Sequence, residues 1–276
     1  MSRISETFKS LARERAGAYI PYVCAGDLSN GFTLDLVKSL CSSGADIVEL
    51  GLPFSDPIAD GPTIQGAMKR SLDGGFRVAD MFKTIKGVRS EGIETPIVLM
   101  TYHNPVHKMG IGEFCSRLAS SGGDAVLVVD LPLEESSELD KEARENSLDV
   151  IRLAAPSTSD SRLDAIIERS TGFLYAVSIA GVTGVRSGLP ETAVPLIKRI
   201  TSRTSLPVAL GFGISKPEHA RAAFSAGAAG VVEGSELISL YLQHSDDRDS
   251  GLKAVGAHAS SMKSAMVSHS DQSRSA

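Results

Sequence analysis

The chain has 276 residues, 42% of them hydrophobic, no tryptophan and a formal net charge of −5. That is enough chain to bury a large core, and the acidic balance argues against a nucleic-acid or anionic-membrane partner. No apolar run reaches the roughly 20 residues a membrane span needs. The three cysteines, Cys24, Cys41 and Cys115, cannot all pair and have no CxxC spacing, which predicts a reduced, cytoplasmic chain without a metal site.

The N-terminus, MSRISETFKSLARERAGAYIPYV, lacks the apolar core of a signal peptide and reads as a short amphipathic helix. Eight β-like runs follow: 18–25, 46–51, 96–101, 124–130, 149–154, 172–178, 207–212 and 230–234. Most are continuous apolar runs, the pattern of a parallel sheet covered on its faces. Helical periodicity lies between them. In FTLDLVKSLCSSG, Leu34, Val37, Leu40 and Cys41 are expected to share the buried face. SRLDAIIERS, ETAVPLIKRI and PEHARAAFSAG are further helices, and GLKAVGAHASSMKSAMV makes the last one.

Gly44-Ala-Asp-Ile-Val, Gly122-Gly-Asp-Ala-Val and Gly227-Ala-Ala-Gly-Val each end a helix and open a strand. Repeated βα units with this punctuation predict a single (β/α)8 barrel over residues 1–267. A doubly wound sheet is the alternative, but eight strands without a break in composition favour the barrel. The polar end, SHSDQSRSA (268–276), is expected to be a disordered tail.

In such a barrel the reactive groups gather at the carboxyl ends of the strands. Glu49 lies inside the second run between Val48 and Leu50, so strand alternation turns it the other way, toward the barrel mouth. A desolvated carboxylate there has a raised pKa and suits acid–base work. Its competing reading is a buried acid paired with a base, for which Arg152 is the one candidate in the strand runs. Asp60, in Pro57-Ile-Ala-Asp-Gly-Pro62, reads by itself as a turn former, as does Asp56. Gly211-Phe212-Gly213 after the seventh run and Gly234-Ser235 after the eighth, where a short helix should start, match the recurrent phosphate site of barrels. Tight turns are the competing explanation.

Gly181-Val-Thr-Gly184 is equally a closing loop or a plain connector. Tyr175 in the sixth run would meet Glu49 if it points inward. Met100, Tyr102 and Phe212 read as pocket walls or as ordinary core. His103 reads as a loop residue, and Cys24 as a small buried one.

These motifs resemble a known family. GADIVELGLPFSDPIADGPTIQ (44–65) is similar to the signature of the tryptophan synthase α subunit. Tyr102-His-Asn-Pro105, Asp130-Leu-Pro132, Gly181-Val-Thr-Gly184, Gly211-Phe-Gly213 and Gly234-Ser235 follow in the family's order. The resemblance runs from about residue 15 to about residue 240. It implies a (β/α)8 TIM barrel with an extra N-terminal helix and a short helix at the phosphate site. It also implies a retro-aldol lyase that cleaves indole-3-glycerol phosphate to indole and glyceraldehyde 3-phosphate.

Carried over, Glu49 is the general acid–base, Asp60 accepts from the indole N–H, and Tyr175 assists Glu49. Gly184, Gly211, Gly213, Gly234 and Ser235 hold the phosphate. Tyr22, Ile64, Met100, Tyr102, Leu127 and Phe212 line the pocket, and Thr183 closes against Asp60. The resemblance further implies no cofactor in this chain, with pyridoxal phosphate in a β-subunit partner and an α2β2 assembly. The Asp56 loop and the 181–184 loop would face that partner.

Four positions depart from the family pattern. Tyr22 stands where Phe is common, Met100 where Leu is common, Ile179 where many bacterial members have Arg, and Glu233 where an apolar residue is usual. An acid beside a phosphate site repels the dianion unless it points away or pairs. The competing readings are a free-standing lyase, a non-catalytic regulatory subunit and another phosphate-binding barrel. Intact Glu49 and Asp60 argue against the second, and the PFSDPIADGP loop against the third.

Overall fold

The computed structural model describes residues 1–178 and 188–267. The strands are β1 (Ala18–Cys24), β2 (Val48–Gly51), β3 (Ile97–Thr101), β4 (Ala125–Val128), β5 (Asp149–Val150), β6 (Arg152–Ala154), β7 (Leu174–Val177), β8 (Val208–Gly211) and β9 (Gly230–Glu233). The helices are α1 (Arg3–Glu14), α2 (Asn30–Ser42), α3 (Pro62–Asp73), α4 (Val78–Ser90), α5 (His103–Met109), α6 (Ile111–Ser120), α7 (Ser137–Glu145), α8 (Asp160–Arg169), α9 (Ala193–Thr201), α10 (Pro217–Ser225), α11 (Ser235–Leu242) and α12 (Arg248–Ser264).

Every strand pairing is parallel, in the order β5-β4-β3-β2-β1-β9-β8-β7-β6. The two ends of that order are consecutive in the chain, so the sheet curls into a barrel. The fifth expected run, 149–154, is thus two strands. Asp149–Val150 pairs with β4 and Arg152–Ala154 with β7. Between them the Ile151 amide still donates to the Val126 carbonyl at 3.0 Å. One continuous stretch changes ladder partner where the barrel closes.

Two apolar layers follow from strand alternation. Ala18, Ile20, Ile47, Val98, Ala125, Leu127, Phe173, Tyr175, Ala209 and Val232 fill the interior. Tyr19, Val48, Leu50, Leu99, Val126, Leu174 and Val231 face the helices. The expected N-terminal helix is α1, which buries Ile4, Phe8 and Leu11 against the interior layer. Its Phe8 ring sits 5.7 Å from that of Phe173, so the helix plugs the barrel's amino-terminal end. Gly44, Gly122 and Gly227 have φ of +104°, +92° and +102°, the left-handed helix ends their motif predicts.

The face expected for α2 is rotated. Phe32, Thr33, Leu36, Val37 and Leu40 are buried, whereas Leu34 and Cys41 are half-buried. The helix packs on β1 and against both of its neighbours, α4 and α12. Leu34 meets α4 at Gly87, where a Cβ would stand 3.0 Å from its side chain.

Candidate active site

Ile47 belongs to the interior layer, and Val48 and Leu50 to the outer one, so Glu49 points into the barrel. It is 1% exposed, level with Tyr22 on β1 and Val98 on β3. Among the described residues its Oε1 has no hydrogen-bond partner and no basic side chain pairs with it. Arg152 bonds instead to Asp140 and to Ser136. Burial, and then the charge of Asp60, pushes the Glu49 carboxyl up to about 8. A group poised there gives and takes protons near neutral pH.

Asp60 comes from the loop after β2. A turn seats it, with its own amide on the Pro57 carbonyl at 3.1 Å, and the Gln65 side chain holds its carbonyl at 2.8 Å. The carboxylate is 7% exposed and accepts the Tyr102 hydroxyl at 2.6 Å. Burial raises its pKa, and the Tyr102 bond partly offsets the rise. The same hydroxyl accepts the Ala59 amide at 3.1 Å, and the Tyr102 ring stacks on Phe54 at 5.1 Å. Tyr102, expected as pocket wall, is therefore the hydrogen-bond donor that ties the Asp60 loop to the end of β3. At the loop's tip, Asp56 forms the turn expected of it, its carbonyl taking the Ile58 amide at 2.9 Å. The Ile58 side chain is 83% exposed.

Tyr175 on β7 also points inward. Burial raises its pKa well above the usual tyrosine value, with Glu49 and Asp60 adding to it. Among the described residues no hydrogen bond joins it to Glu49. Its ring fills the space that a side chain at Gly211 would need, where a Cβ would stand 2.2 Å from the ring. Gly211 is buried, and the Tyr175 ring by itself leaves no room for a side chain there.

Above Glu49 lies a cavity of about 270 Å³, lined by Ala59, Met100, Leu127, Val129, Leu153, Tyr175, Val177 and Phe212. Met100 and Leu127 are level with Gly51, one inward-facing step above Glu49. Of the expected walls, Met100, Leu127 and Phe212 line this cavity. Tyr22 does not. Its ring lies against Gly51 and Gly234, and a Cβ on Gly51 would stand 2.1 Å from its hydroxyl. Ile64 is half-buried against the outer layer. Ala59, Val129, Leu153 and Val177 had no sequence signal beyond being apolar or small near strand ends.

Gly213 and Gly234 follow the neighbouring strands β8 and β9. Gly213 is exposed, with φ +77°. Gly234 caps α11, whose first intrahelical bond runs from the Ile238 amide to the Gly234 carbonyl. The amides of Ser235 and the residues just after it are therefore available to an anion. Thr183, Gly184 and Ile179 lie outside the described residues.

Glu233 faces away from this site. Val232 points inward, and Glu233 points into the helix layer. There it accepts the Tyr19 hydroxyl at 2.7 Å and meets His258 Nε2 at 2.8 Å. Burial tends to lower the His258 pKa, but Glu233 outweighs it and the net shift is upward. The acid is paired and turned from the barrel interior.

His103 opens α5, its amide on Asp130 Oδ1 at 2.6 Å. Cys24 is buried and its thiol pKa is raised by that burial. Among the described residues no cluster of potential ligands could hold a metal ion, and no helix is long and apolar enough to cross a membrane.

The chain is similar to known proteins of one family. The family model described as tryptophan synthase alpha chain matches residues 8–267. A tryptophan synthase alpha chain of Gluconobacter oxydans is 47% identical, over 86% of this chain and 88% of its own. The crystal structure of tryptophan synthase subunit alpha from Legionella pneumophila superposes with a TM-score of 0.89 at 35% identity, covering 96% of this chain and 98% of that one. A chain of the tryptophan synthase complex from Pyrococcus furiosus superposes with a TM-score of 0.83 at 39% identity, covering 90% and 98%.

Proposed function

The chain belongs to the tryptophan synthase alpha chain family and catalyses its carbon–carbon lyase reaction in tryptophan biosynthesis, and we propose that Glu49 and Asp60 carry that reaction. The substrate is indole-3-glycerol phosphate, and the products are indole and glyceraldehyde 3-phosphate. The observation that carries the assignment is a buried Glu49, without a partner for Oε1 among the described residues and with a pKa pushed up to about 8 beside Asp60.

Protonated Glu49 gives its proton to indole C3, which leaves positive charge on the ring and a polarised N–H. Asp60 accepts that N–H and stabilises the charge. As a carboxylate, Glu49 then takes the proton of the glycerol hydroxyl next to the ring. The hydroxyl carbon becomes the aldehyde, the carbon–carbon bond breaks, and its electron pair returns to the ring to restore aromaticity. Glu49 ends in the protonation state in which it began. Tyr102 fixes Asp60 for this task, and Tyr175 shapes the pocket beside Glu49. The apolar cavity takes the indole ring, and the amides at Gly213, Gly234 and Ser235 take the phosphate.

The chain works without a cofactor of its own in this reading. Its partner is a β subunit that carries pyridoxal phosphate, in an α2β2 assembly, consistent with the Pyrococcus furiosus structure being that of a complex. The exposed Ile58 loop would face that partner, and the assembly would be cytoplasmic. The test is indole release by Glu49→Gln. Release should be nearly abolished while binding of glyceraldehyde 3-phosphate persists, and undiminished release would remove Glu49 from the mechanism.

A further inference from the structure

Phe212 and Gly213 stand consecutively in the left-handed region, at φ +68° and +77°. For phenylalanine that conformation is strained, so the surroundings must hold the loop in place. Two buried groups do so. On one side Ser178, at the end of β7, donates its hydroxyl to the Gly211 and Phe212 carbonyls at 3.2 and 2.9 Å. On the other side is His219, in the first turn of α10.

His219 is 3% exposed, and its Nδ1 accepts the Ser215 amide at 3.4 Å. A neutral imidazole that accepts at Nδ1 carries its proton on Nε2. Among the described residues no hydrogen-bond partner lies within 3.5 Å of that buried Nε2, and the group nearest to accepting from the ring is the Gly213 backbone, which tends to raise the His219 pKa. Burial, reinforced by Lys216, keeps the His219 pKa below the usual histidine value, so the ring stays neutral and available as an acceptor. The ring thus meets both ends of the turn, the Ser215 amide at Nδ1 and the Gly213 backbone.

We propose that His219 is a positioning residue for the phosphate ester: it holds the Phe212–Ser215 turn from beneath, so that the Gly213 amide faces the ligand. The inference rests on the phosphate site proposed above. His219 touches no reacting atom. It acts by keeping a strained loop in the one conformation that presents its amides, and it does so from the helix that follows that loop.

The test compares wild type with His219→Leu, His219→Gln and Gly213→Leu, each assembled with the β subunit. Indole-release kinetics and calorimetric binding of glyceraldehyde 3-phosphate are read for each. His219→Leu should raise both the Michaelis constant and the product Kd about tenfold, the equivalent of one hydrogen bond, with kcat within about twofold of wild type. His219→Gln can accept from the Ser215 amide and donate in turn, and should recover most of the loss. If His219→Leu lowers only thermal stability, or if the glutamine variant binds no better than the leucine one, the positioning role is wrong. Gly213→Leu separates the two layers of the proposal: if it binds glyceraldehyde 3-phosphate normally, the phosphate site itself is misplaced.

Discussion

Replacing Glu49 by Gln should remove activity and change how stability depends on pH. In the unfolded chain the carboxyl titrates near 4.5, and in the folded chain it titrates near 8. A raised folded pKa means that the favourable contribution is fully present below about pH 4.5. It declines as pH rises and is gone above about 8. The gap corresponds to roughly 5 kcal/mol across the window, at about 1.4 kcal/mol per pH unit. Gln cannot titrate, so its curve lacks this slope. It does bury an amide where Glu49 Oε1 already has no partner, a cost of about 1–3 kcal/mol that does not vary with pH.

The expected result is therefore a pair of curves that converge or cross. Wild type loses stability relative to Glu49→Gln between pH 5 and 8 and runs parallel to it above pH 8. Asp60 titrates in both proteins and cancels to first order. The assay is urea unfolding followed by circular dichroism at half-unit steps from pH 5.5 to 9. Intermediates are common in the unfolding of chains of this size, so where more than one transition is seen the first is the one to compare. Curves that stay parallel from pH 5.5 to 9 would falsify the claim that Glu49 is buried and uncompensated.

Tyr102→Phe removes the donor to Asp60 at 2.6 Å and the acceptor of the Ala59 amide. A hydrogen bond to a charged group contributes about 1.5–3 kcal/mol, so kcat/KM for indole release should fall about 10- to 100-fold. An unchanged kcat/KM would mean that this tyrosine does not hold Asp60 in the reacting complex. Gly211→Ala places a methyl group 2.2 Å from the Tyr175 ring, and the ring must move into the cavity. Thermal unfolding should shift down and indole release should drop. Wild-type values for both would show that Tyr175 has room to spare.

Much of the fold was legible because a parallel barrel writes its strands as uninterrupted apolar runs and ends its helices with glycine. The division of 149–154 into β5 and β6 was not, because an exchange of ladder partner at Ile151 leaves no mark on residue type. Glu49 stood out because a carboxylate in an apolar run has few structural explanations, and the pairing of Arg152 with Asp140 removes the main one. Asp60 did not stand out by itself. Its significance comes from Tyr102, some forty residues away, and only the fold brings the two together.

Gly211 was read as part of a glycine-rich anion loop, yet the structure needs it glycine for the Tyr175 ring. Sequence shows that a side chain is missing, not what occupies the space. Ser178 and His219 carried no signal, since a serine at a strand end and a histidine in a helical first turn are ordinary residues until their hydrogen bonds are known. Glu233 read as a charge next to the anion site, but strand parity at Val232 turns it outward to Tyr19 and His258. Thr183 and Gly184 lie outside the described residues.

The most direct test is indole release from indole-3-glycerol phosphate by the purified chain, measured with and without a β subunit. The account predicts slow release by the chain alone that rises steeply when the partner is added. No release in either condition from a correctly folded chain would contradict it, and fast release by the chain alone, unmoved by the partner, would contradict the dependence on assembly.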